Sequence, residues 1–226
     1  MKSKMNFNLL TVTGKVKPTS VEATCELHNM TAGNPQGVAA AKALGDMSHM
    51  TYMPFDPSGA FSGDLLFLDI WNNLEGLNQF FGDHQVQAGA EMMFASREGV
   101  VWSKLENYLH FNFPAPTGHN DRIVGMIRGT VKSIEEAEDI HNAAMEKRVA
   151  PARIDGLLSH EFYVRLAAPG SPEALEVLGL DIWSSAEGMG KHYMGPDYQN
   201  SGADKIFNAK PVSSVWAHPK GNWVEW

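Results

Sequence analysis

One internal repeat constrains the fold of this chain more than any other feature of its sequence. The segment at 68–76, LDIWNNLEG, returns at 180–188 as LDIWSSAEG, 112 residues later. Further matches keep nearly the same register, with offsets between 111 and 115, as in the His-Asn pairs at 28–29 and 141–142. Chance similarities would scatter over many offsets, so the chain is interpreted as a tandem duplication.

A stretch rich in proline marks the junction between the copies. Residues 113–118 read FPAPTG, and two prolines with a glycine are typical of a connector. We therefore predict a first unit over residues 1–113, a linker over 114–120 and a second unit over 121–226.

Both copies predict the same order of secondary structure. Runs of β-branched and apolar residues bounded by turn residues indicate four strands in each copy. Helix N-caps are expected at Ser20 and Ser133 for the first helix, and at Asn72 and Ser184 for the second. The order is βαββαβ, so the expected fold class is α+β, with two tandem ferredoxin-like units.

The third strand alternates between an aliphatic and a mixed face. Leu66, Leu68 and Ile70 alternate with Asp69 and Trp71, and the second copy repeats the pattern. We expect the helices to cover the aliphatic face, and the mixed faces of the two antiparallel sheets to pair into one α+β barrel. The predicted barrel interior contains Tyr52, Tyr163, Asp69, Asp181, Trp71, Trp183 and Arg165.

Residues 180–198, LDIWSSAEGMGKHYMGPDY, resemble the strand-to-helix segment of the dimeric α+β barrel superfamily, the group of the antibiotic-biosynthesis monooxygenases. In those proteins a strand that ends in Trp precedes an acidic cap, a helix with a His and a Pro-containing break. The first copy departs from the pattern, because it has Phe80 where the second has His192. The resemblance implies the paired-unit fold, but no single activity, because the superfamily contains several kinds of enzyme.

The candidate catalytic residues are Asp181, Trp183 and His192, since an acid or imidazole beside an aromatic wall could move a proton on a planar substrate. Each also has a structural interpretation: the acids could hold the fold together, and the histidine could be an ordinary surface residue. Copy two is the more polar copy, so the site is expected there. The candidate substrate-binding residues are Tyr163, Arg165, Tyr52, Trp71 and Asp69.

Composition narrows the class of partner. The net charge is −8 and no basic run is present, so nucleic acid is not an expected partner. No apolar stretch approaches the length of a membrane span, and the single cysteine, Cys25, excludes an internal disulfide. We expect a cytoplasmic protein that forms a homo-oligomer and binds a small apolar or aromatic molecule.

Three function classes remain open at this stage. The first is a cofactor-independent, monooxygenase-like enzyme, and the second is a barrel without catalysis whose interior is filled by its own side chains. No cofactor and no metal site is predicted. The third class is haem binding, because tandem units of this kind resemble the chlorite-dismutase-like branch; His141, His192 and His218 would then be the candidate ligands.

Overall fold

The computed structural model describes residues 7–112 and 122–226, and the predicted linker at 114–120 lies outside them. Packing divides the chain into two compact units. Unit 1 comprises Met1–Ser103 with His218–Trp226, and unit 2 comprises Lys104–Ala217. Each unit therefore contains a segment from the other sequence repeat. Residues 218–226, which follow the last strand of the second repeat, belong to unit 1, and residues 104–112, at the end of the first repeat, belong to unit 2.

Unit 1 contains four strands and four helices. In chain order they are β1 (Asn8–Val16), α1 (Val21–Met30), α2 (Pro35–Ala43), β2 (Asp46–Pro54), β3 (Asp64–Trp71), α3 (Leu74–Phe81), α4 (His84–Met93) and β4 (Phe94–Lys104, whose last residue belongs to unit 2). The strands form an antiparallel sheet in the order β4-β1-β3-β2.

Unit 2 repeats this order, but it has one helix before β7 where unit 1 has two helices before β2, and it begins with an additional short strand, β5. Its elements are β5 (Phe111–Asn112), β6 (Ile123–Thr130), α5 (Ile134–Ile154), β7 (Leu157–Arg165), β8 (Glu176–Trp183), α6 (Ala186–Met194), α7 (Pro196–Gln199) and β9 (Val212–Ala217), with short 3-10 turns at Pro172–Leu175 and Ala203–Lys205. The antiparallel strand order is β9-β6-β8-β7-β5. The predicted fold class, α+β with ferredoxin-like units, is confirmed.

Helix capping follows the sequence closely. Ser20 and Ser133 are the N-caps of α1 and α5, as predicted. The second helices begin one residue later than predicted, because Asn73 and Ser185, rather than the residues before them, accept hydrogen bonds from backbone N–H groups of the first turn.

The first helix differs between the copies. α5 is a continuous helix of 21 residues. In unit 1 the equivalent chain is interrupted at residues 31–34, where α1 ends and Asn34 caps a separate α2 that begins with Pro35. Residues from this interruption contribute to the cavity described below.

The prediction of which face of the third strand lies under the helices is wrong. Leu65, Phe67 and Trp71 share one core cluster with Cys25 of α1 and Leu77 of α3. The helices therefore cover the face that carries Trp71 and, two residues before it, Asp69. The aliphatic residues Leu66, Leu68 and Ile70 lie on the opposite face.

Unit 2 requires the same correction. Val177 clusters with Ala137 of α5, and Trp183 clusters with Met189 of α6, so Asp181 between them also faces the helices. The central residues of β3 and of β8 are buried on both faces. Because alternation of side chains separates a buried face from an exposed one, it could not identify the helix-covered face here.

The first turn of α6 lies close to the backbone of Asp155, and a substitution at Gly188 can test this packing. A Cβ added at Gly188 would clash with the carbonyl oxygen of Asp155, whereas one at Gly190 of the same helix would meet nothing within 4 Å. We expect Gly188→Ala to lower the free energy of unfolding by about 1–3 kcal/mol, because backbone must move. The matched variant Gly190→Ala should raise it by about 0.5–1 kcal/mol, because alanine favours the helix. Urea unfolding of both variants measures the difference, and equal stabilities would contradict the packing.

Candidate functional site

A buried chain of hydrogen bonds links three side chains of unit 1. The register of β2 and β3 places His49 opposite Asp69, and the His49 Nδ1 atom lies 2.5 Å from Asp69 Oδ1. The other ring nitrogen of His49 lies 3.0 Å from Nε2 of His28 on α1. The planes of the two imidazole rings are within 11° of each other, and the ring centroids are 5.2 Å apart. All three residues are buried.

The neighbouring Asn29 determines where the protons lie in this chain. Its Oδ1 atom is 2.9 Å from His28 Nδ1, so that nitrogen carries a hydrogen and donates it. One hydrogen lies between the two Nε2 atoms, and it belongs to His49, because His49 is bonded to the carboxylate of Asp69 whereas His28 is bonded to a neutral amide. His28 Nε2 is then the acceptor, and His49 donates to it through Nε2 while donating to Asp69 through Nδ1. His49 is therefore a cationic imidazolium, and His28 is neutral.

The pKa shifts agree with this assignment. Burial and the charge of His49 lower the pKa of His28 to about 4. Burial also disfavours the charged form of His49, but the charge and hydrogen bond of Asp69 outweigh it and raise its pKa. A cationic His28 stabilised by the helix dipole at the end of α1, which is the local interpretation of a histidine at that place, is wrong because the ring is buried beside the cationic His49.

Unit 2 contains the same arrangement. His141 Nε2 lies 2.8 Å from His160 Nε2, and His160 Nδ1 is hydrogen-bonded to Asp181 Oδ1. Asn142 contacts His141 Nδ1 at 3.0 Å. Burial and the charge of His160 lower the pKa of His141 to about 3. Because His141 lies in the middle of α5, the helix-dipole interpretation fails here as well.

A cavity of about 660 Å³ lies in unit 1, between the sheet and its helices. Its volume is in the range of small-molecule sites. The walls are largely apolar and include Leu77, Phe80, Phe81, Met93 and Phe94. Asp46, His49, Asp69 and Trp226 form one polar group in its wall, and other polar residues, among them Asn34, Gln87 and Arg97, line the rest.

Asp46 and Trp226 bring polar atoms to this cavity that lack a well-formed hydrogen bond. Asp46 Oδ1 and the indole Nε1 of Trp226 are both buried without such a partner. Burial and the nearby Asp69 carboxylate raise the pKa of Asp46 to about 7, and the neighbouring Trp226 N–H opposes this rise only weakly. Asp46 can therefore gain or lose a proton near neutral pH, which is the property required of a general acid or base.

Backbone pairing holds Trp226 in the cavity wall. Its N–H and C=O groups exchange hydrogen bonds with those of His49, with N···O distances of 3.2 and 2.8 Å. Its ring stacks on the imidazole of His49, with centroids 4.7 Å apart. The cationic side chain of Lys42 lies over the indole ring, 5.6 Å from its centroid.

The corresponding region of unit 2 is occupied by side chains. Tyr193 donates a hydrogen bond to the second carboxylate oxygen of Asp181, whereas the equivalent residue of unit 1, Phe81, has no hydroxyl. Arg148 of α5 stacks over Tyr198 at 5.1 Å. Leu157 occupies the position of Asp46, since each lies opposite the last tryptophan of the neighbouring strand.

The predicted catalytic residues lie together in unit 2, and none of them lines the unit 1 cavity. Trp183 and His192 are fully buried, with ring centroids 5.3 Å apart. Both carboxylate oxygens of Asp181 accept hydrogen bonds, from His160 and Tyr193. Although burial opposes ionisation of Asp181, the charge and hydrogen bond of His160 lower its pKa to about 2. A carboxylate with this pKa is a weak base.

The predicted substrate-binding residues separate into two groups. Asp69 lines the cavity. Trp71 packs against Phe80 of the cavity wall, with ring centroids 5.6 Å apart. Tyr52, Tyr163 and Arg165 belong to the sheet faces turned away from the helices. Tyr163 donates to Glu161, and Arg165 pairs with Glu176 at 2.8 Å.

Sequence reasoning missed three of the residues at the cavity: Asp46, His49 and Trp226. The repeat carried a signal for His49, because its match with His160 and the match of the His-Asn pairs identify two histidines per copy. Asp46 had no such signal, since its counterpart is Leu157. The expectation of a site in the second copy differs from the observed position of this cavity in unit 1.

The cavity does not fit a haem, the cofactor of the third function class named above. His49 is the histidine among the described residues that line the cavity, and both of its ring nitrogens are already hydrogen-bonded. Of the histidines predicted as ligands, His141 is bonded through both nitrogens, His192 is 2% exposed and His218 pairs with Glu225 at 2.9 Å. Over the described ranges, no cluster of three His, Cys, Asp or Glu side chains could hold a metal ion, and no helix could cross a membrane.

Comparison with solved structures shows the same fold in several proteins of low sequence identity. An anthrone oxidase-like protein has a TM-score of 0.63 at 15% identity, with 95% of this chain and 92% of the other covered. A provisionally named monooxygenase of Fusobacterium nucleatum has a TM-score of 0.62 at 9% identity, covering 95% and 93%. A point mutant of the chlorite dismutase of Candidatus Nitrospira defluvii has a TM-score of 0.56 at 8% identity, covering 96% and 92%.

No family model and no curated protein sequence matches the chain. The structural matches confirm the predicted ferredoxin-like α+β fold. At these identities they establish the fold and not an activity.

The hydrogen-bond chains predict two neutral histidines in the folded protein. We expect the ring resonances of His28 and His141 to keep the shifts of neutral imidazole down to pH 5, since their pKa values are lowered to about 4 and about 3. The unfolded chain protonates its histidines near pH 6.5, so these two residues reduce the free energy of unfolding as the pH falls from about 6.5. NMR titration measures the two midpoints. A midpoint near 6.5 for either residue would contradict the assignment.

Proposed function

We propose that unit 1 binds a small aromatic molecule in its cavity and removes a proton from it, as the first step of a cofactor-independent oxygenation. The observation that carries this proposal is Asp46, a buried carboxyl with a pKa of about 7 and an unpaired oxygen at an apolar cavity. The shared fold with an anthrone oxidase-like protein supports the choice of substrate class.

The shape of the cavity suits a flat, apolar ligand. Phe80 and Phe81 supply aromatic contacts on one side, and Met93 supplies an adaptable surface. The polar end supplies an acceptor on Asp46 and a donor on the Trp226 indole, neither of which has a well-formed hydrogen bond within the protein. A ligand with a carbonyl oxygen near an acidic C–H group would satisfy both atoms.

Proton removal is helped by the surroundings of the developing anion. Asp46 Oδ1 accepts the proton, and the Trp226 N–H donates to the oxygen on which negative charge gathers. The imidazolium of His49 lies in the same wall, and its positive charge compensates Asp69. In an apolar cavity such interactions are stronger than in water.

The complete reaction would be balanced by molecular oxygen alone. The carbanion transfers electrons to O₂ and forms a C–O bond, which gives a hydroperoxide after protonation by Asp46. Loss of water from a hydroperoxide on a former CH₂ group leaves a carbonyl. One O₂ is consumed, one oxygen atom enters the product and the other leaves as water.

A non-catalytic binding protein is the alternative. A version of this alternative that leaves no room for a ligand disagrees with the cavity of about 660 Å³ between the sheet and the helices of unit 1. A ligand-binding version would need the cavity but not a titrating Asp46, so the role of this carboxyl separates the two functions.

The proposal predicts a selective effect of Asp46→Asn on turnover. With anthrone as the test substrate, we expect this variant to lower kcat by about 100-fold or more, because it removes the general base. The affinity for anthrone, measured by calorimetry without oxygen, should change little. In the wild type, kcat should rise with pH through about 7 as Asp46 loses its proton.

Asp83→Asn is a matched control. Asp83 also lines the cavity, but it caps α4, and asparagine caps a helix equally well. Its kcat should stay within about 2-fold of the wild type, a difference well below 1 kcal/mol. Anthrone that binds without consumption of O₂ would favour the non-catalytic alternative, and no binding at all would refute the ligand class.

A further inference from the structure

The protonation of the cavity histidine depends on a residue outside the cavity. The Asn29 side chain is held by the C-terminal segment of unit 1: its Nδ2 donates to the carbonyl oxygen of Asn222 at 2.8 Å, and its Oδ1 accepts from the backbone N–H of Val224 at 2.9 Å. A reversed amide would place two donors against each other and two acceptors against each other. The orientation of this amide is therefore fixed by backbone groups.

We propose that Asn29 is a positioning residue that keeps His49 in its imidazolium form. Because the orientation of its amide is fixed, Asn29 presents an acceptor to His28 Nδ1 and holds the hydrogen of this buried, neutral ring on that nitrogen, so His28 offers a lone pair at Nε2. His49 must then keep the hydrogen on its own Nε2. The bond to Asp69 holds the second hydrogen on Nδ1.

The other charged groups around His49 favour the same state. Asp69 faces it from β3, Asp46 lies on its own strand, and Glu225 faces it from the C-terminal segment. His28 faces it from α1 as a neutral ring. The surroundings are therefore acidic, so the hydrogen-bond direction set by Asn29 and the local charge act together.

The chemical consequence rests on the function proposed above. While His49 is cationic, it compensates Asp69, which limits the repulsion between Asp69 and Asp46. Loss of the Asn29 acceptor would let His28 carry its hydrogen on Nε2 and donate to His49. His49 would become neutral, Asp69 would be uncompensated, and the pKa of Asp46 would rise.

Unit 2 supplies the matched control. Asn142 donates to the carbonyl oxygen of Asn107 at 3.0 Å and accepts from the N–H of Leu109 at 2.7 Å, and it contacts His141 as Asn29 contacts His28. Asn29→Ala and Asn142→Ala therefore both remove the histidine contact and two bonds to backbone groups, and Asn29→Ala also removes a long contact to Cys25 Sγ at 3.7 Å. A purely structural role predicts that the two variants lose similar stability and that neither changes the protonation of His49.

The test is ¹⁵N NMR of the histidine rings at pH 7 in the wild type and both variants. We expect the wild type to show His49 protonated on both nitrogens and His28 protonated on Nδ1 alone. In Asn29→Ala, His49 should lose the hydrogen on Nε2, while in Asn142→Ala it should keep both. With anthrone turnover as a second readout, only Asn29→Ala should move the pH midpoint of kcat upward.

Two results would overturn the proposal. One is a folded Asn29→Ala protein in which His49 stays doubly protonated, and the other is wild-type His28 protonated on Nε2. The second measurement needs no variant, so it decides the question even where the variants fail to fold. The NMR spectra require no substrate, and failure of the proposed oxygenation therefore gives a different pattern: the expected histidine states with no turnover.

Discussion

A buried aspartate–histidine pair lies at the same place in each unit and links the helical layer to the sheet by hydrogen bonds. Asp69 and Asp181 come from the third strand, His49 and His160 from the second, and each pair is bonded to a histidine on the first helix. A buried charge without its partner costs several kcal/mol, so each member depends on the others. The packing of helix against sheet is thereby fixed at one polar point as well as by apolar contacts. This explains why the residues of the pair return in both copies.

The two units surround this common pair differently. In unit 2, Tyr193 donates to Asp181, and the uninterrupted α5 places Arg148 nearby, so the carboxylate is fully hydrogen-bonded. In unit 1, Phe81 offers no hydroxyl, and the chain breaks between α1 and α2. The same polar pair therefore lies in the wall of a cavity. A small number of substitutions and one helix interruption therefore distinguish the two units. The pair has only a structural role in unit 2, whereas in unit 1 it can contact a ligand.

The sequence predicted the repeat, the element order and the N-caps at Ser20 and Ser133, because these depend on local patterns that occur twice. It did not predict which face of β3 the helices cover, because that strand is buried on both sides and its alternation has no exposed face as a reference. His28 and His49 are 21 residues apart and meet only through tertiary packing, so no local pattern in the sequence predicts their hydrogen bond. The cavity depends on the break at 31–34, which Asn34 and Pro35 mark locally, and on the return of Trp226, which has no local signature.

Asp46 is an exception to the rule that buried side chains are apolar or have all their polar atoms hydrogen-bonded. Its counterpart Leu157 packs in a core cluster with Trp183, which is the ordinary solution for this position. Asp46 instead carries a buried oxygen without a partner beside a second carboxylate, and burial and that repulsion raise its pKa to about 7. The folded state thus keeps a proton that the unfolded chain releases near pH 4, so this residue weakens the fold as the pH rises from about 4 to about 7. A residue that reduces stability at neutral pH, in a copy whose duplicate avoids it, is more readily explained by chemistry in the cavity than by packing.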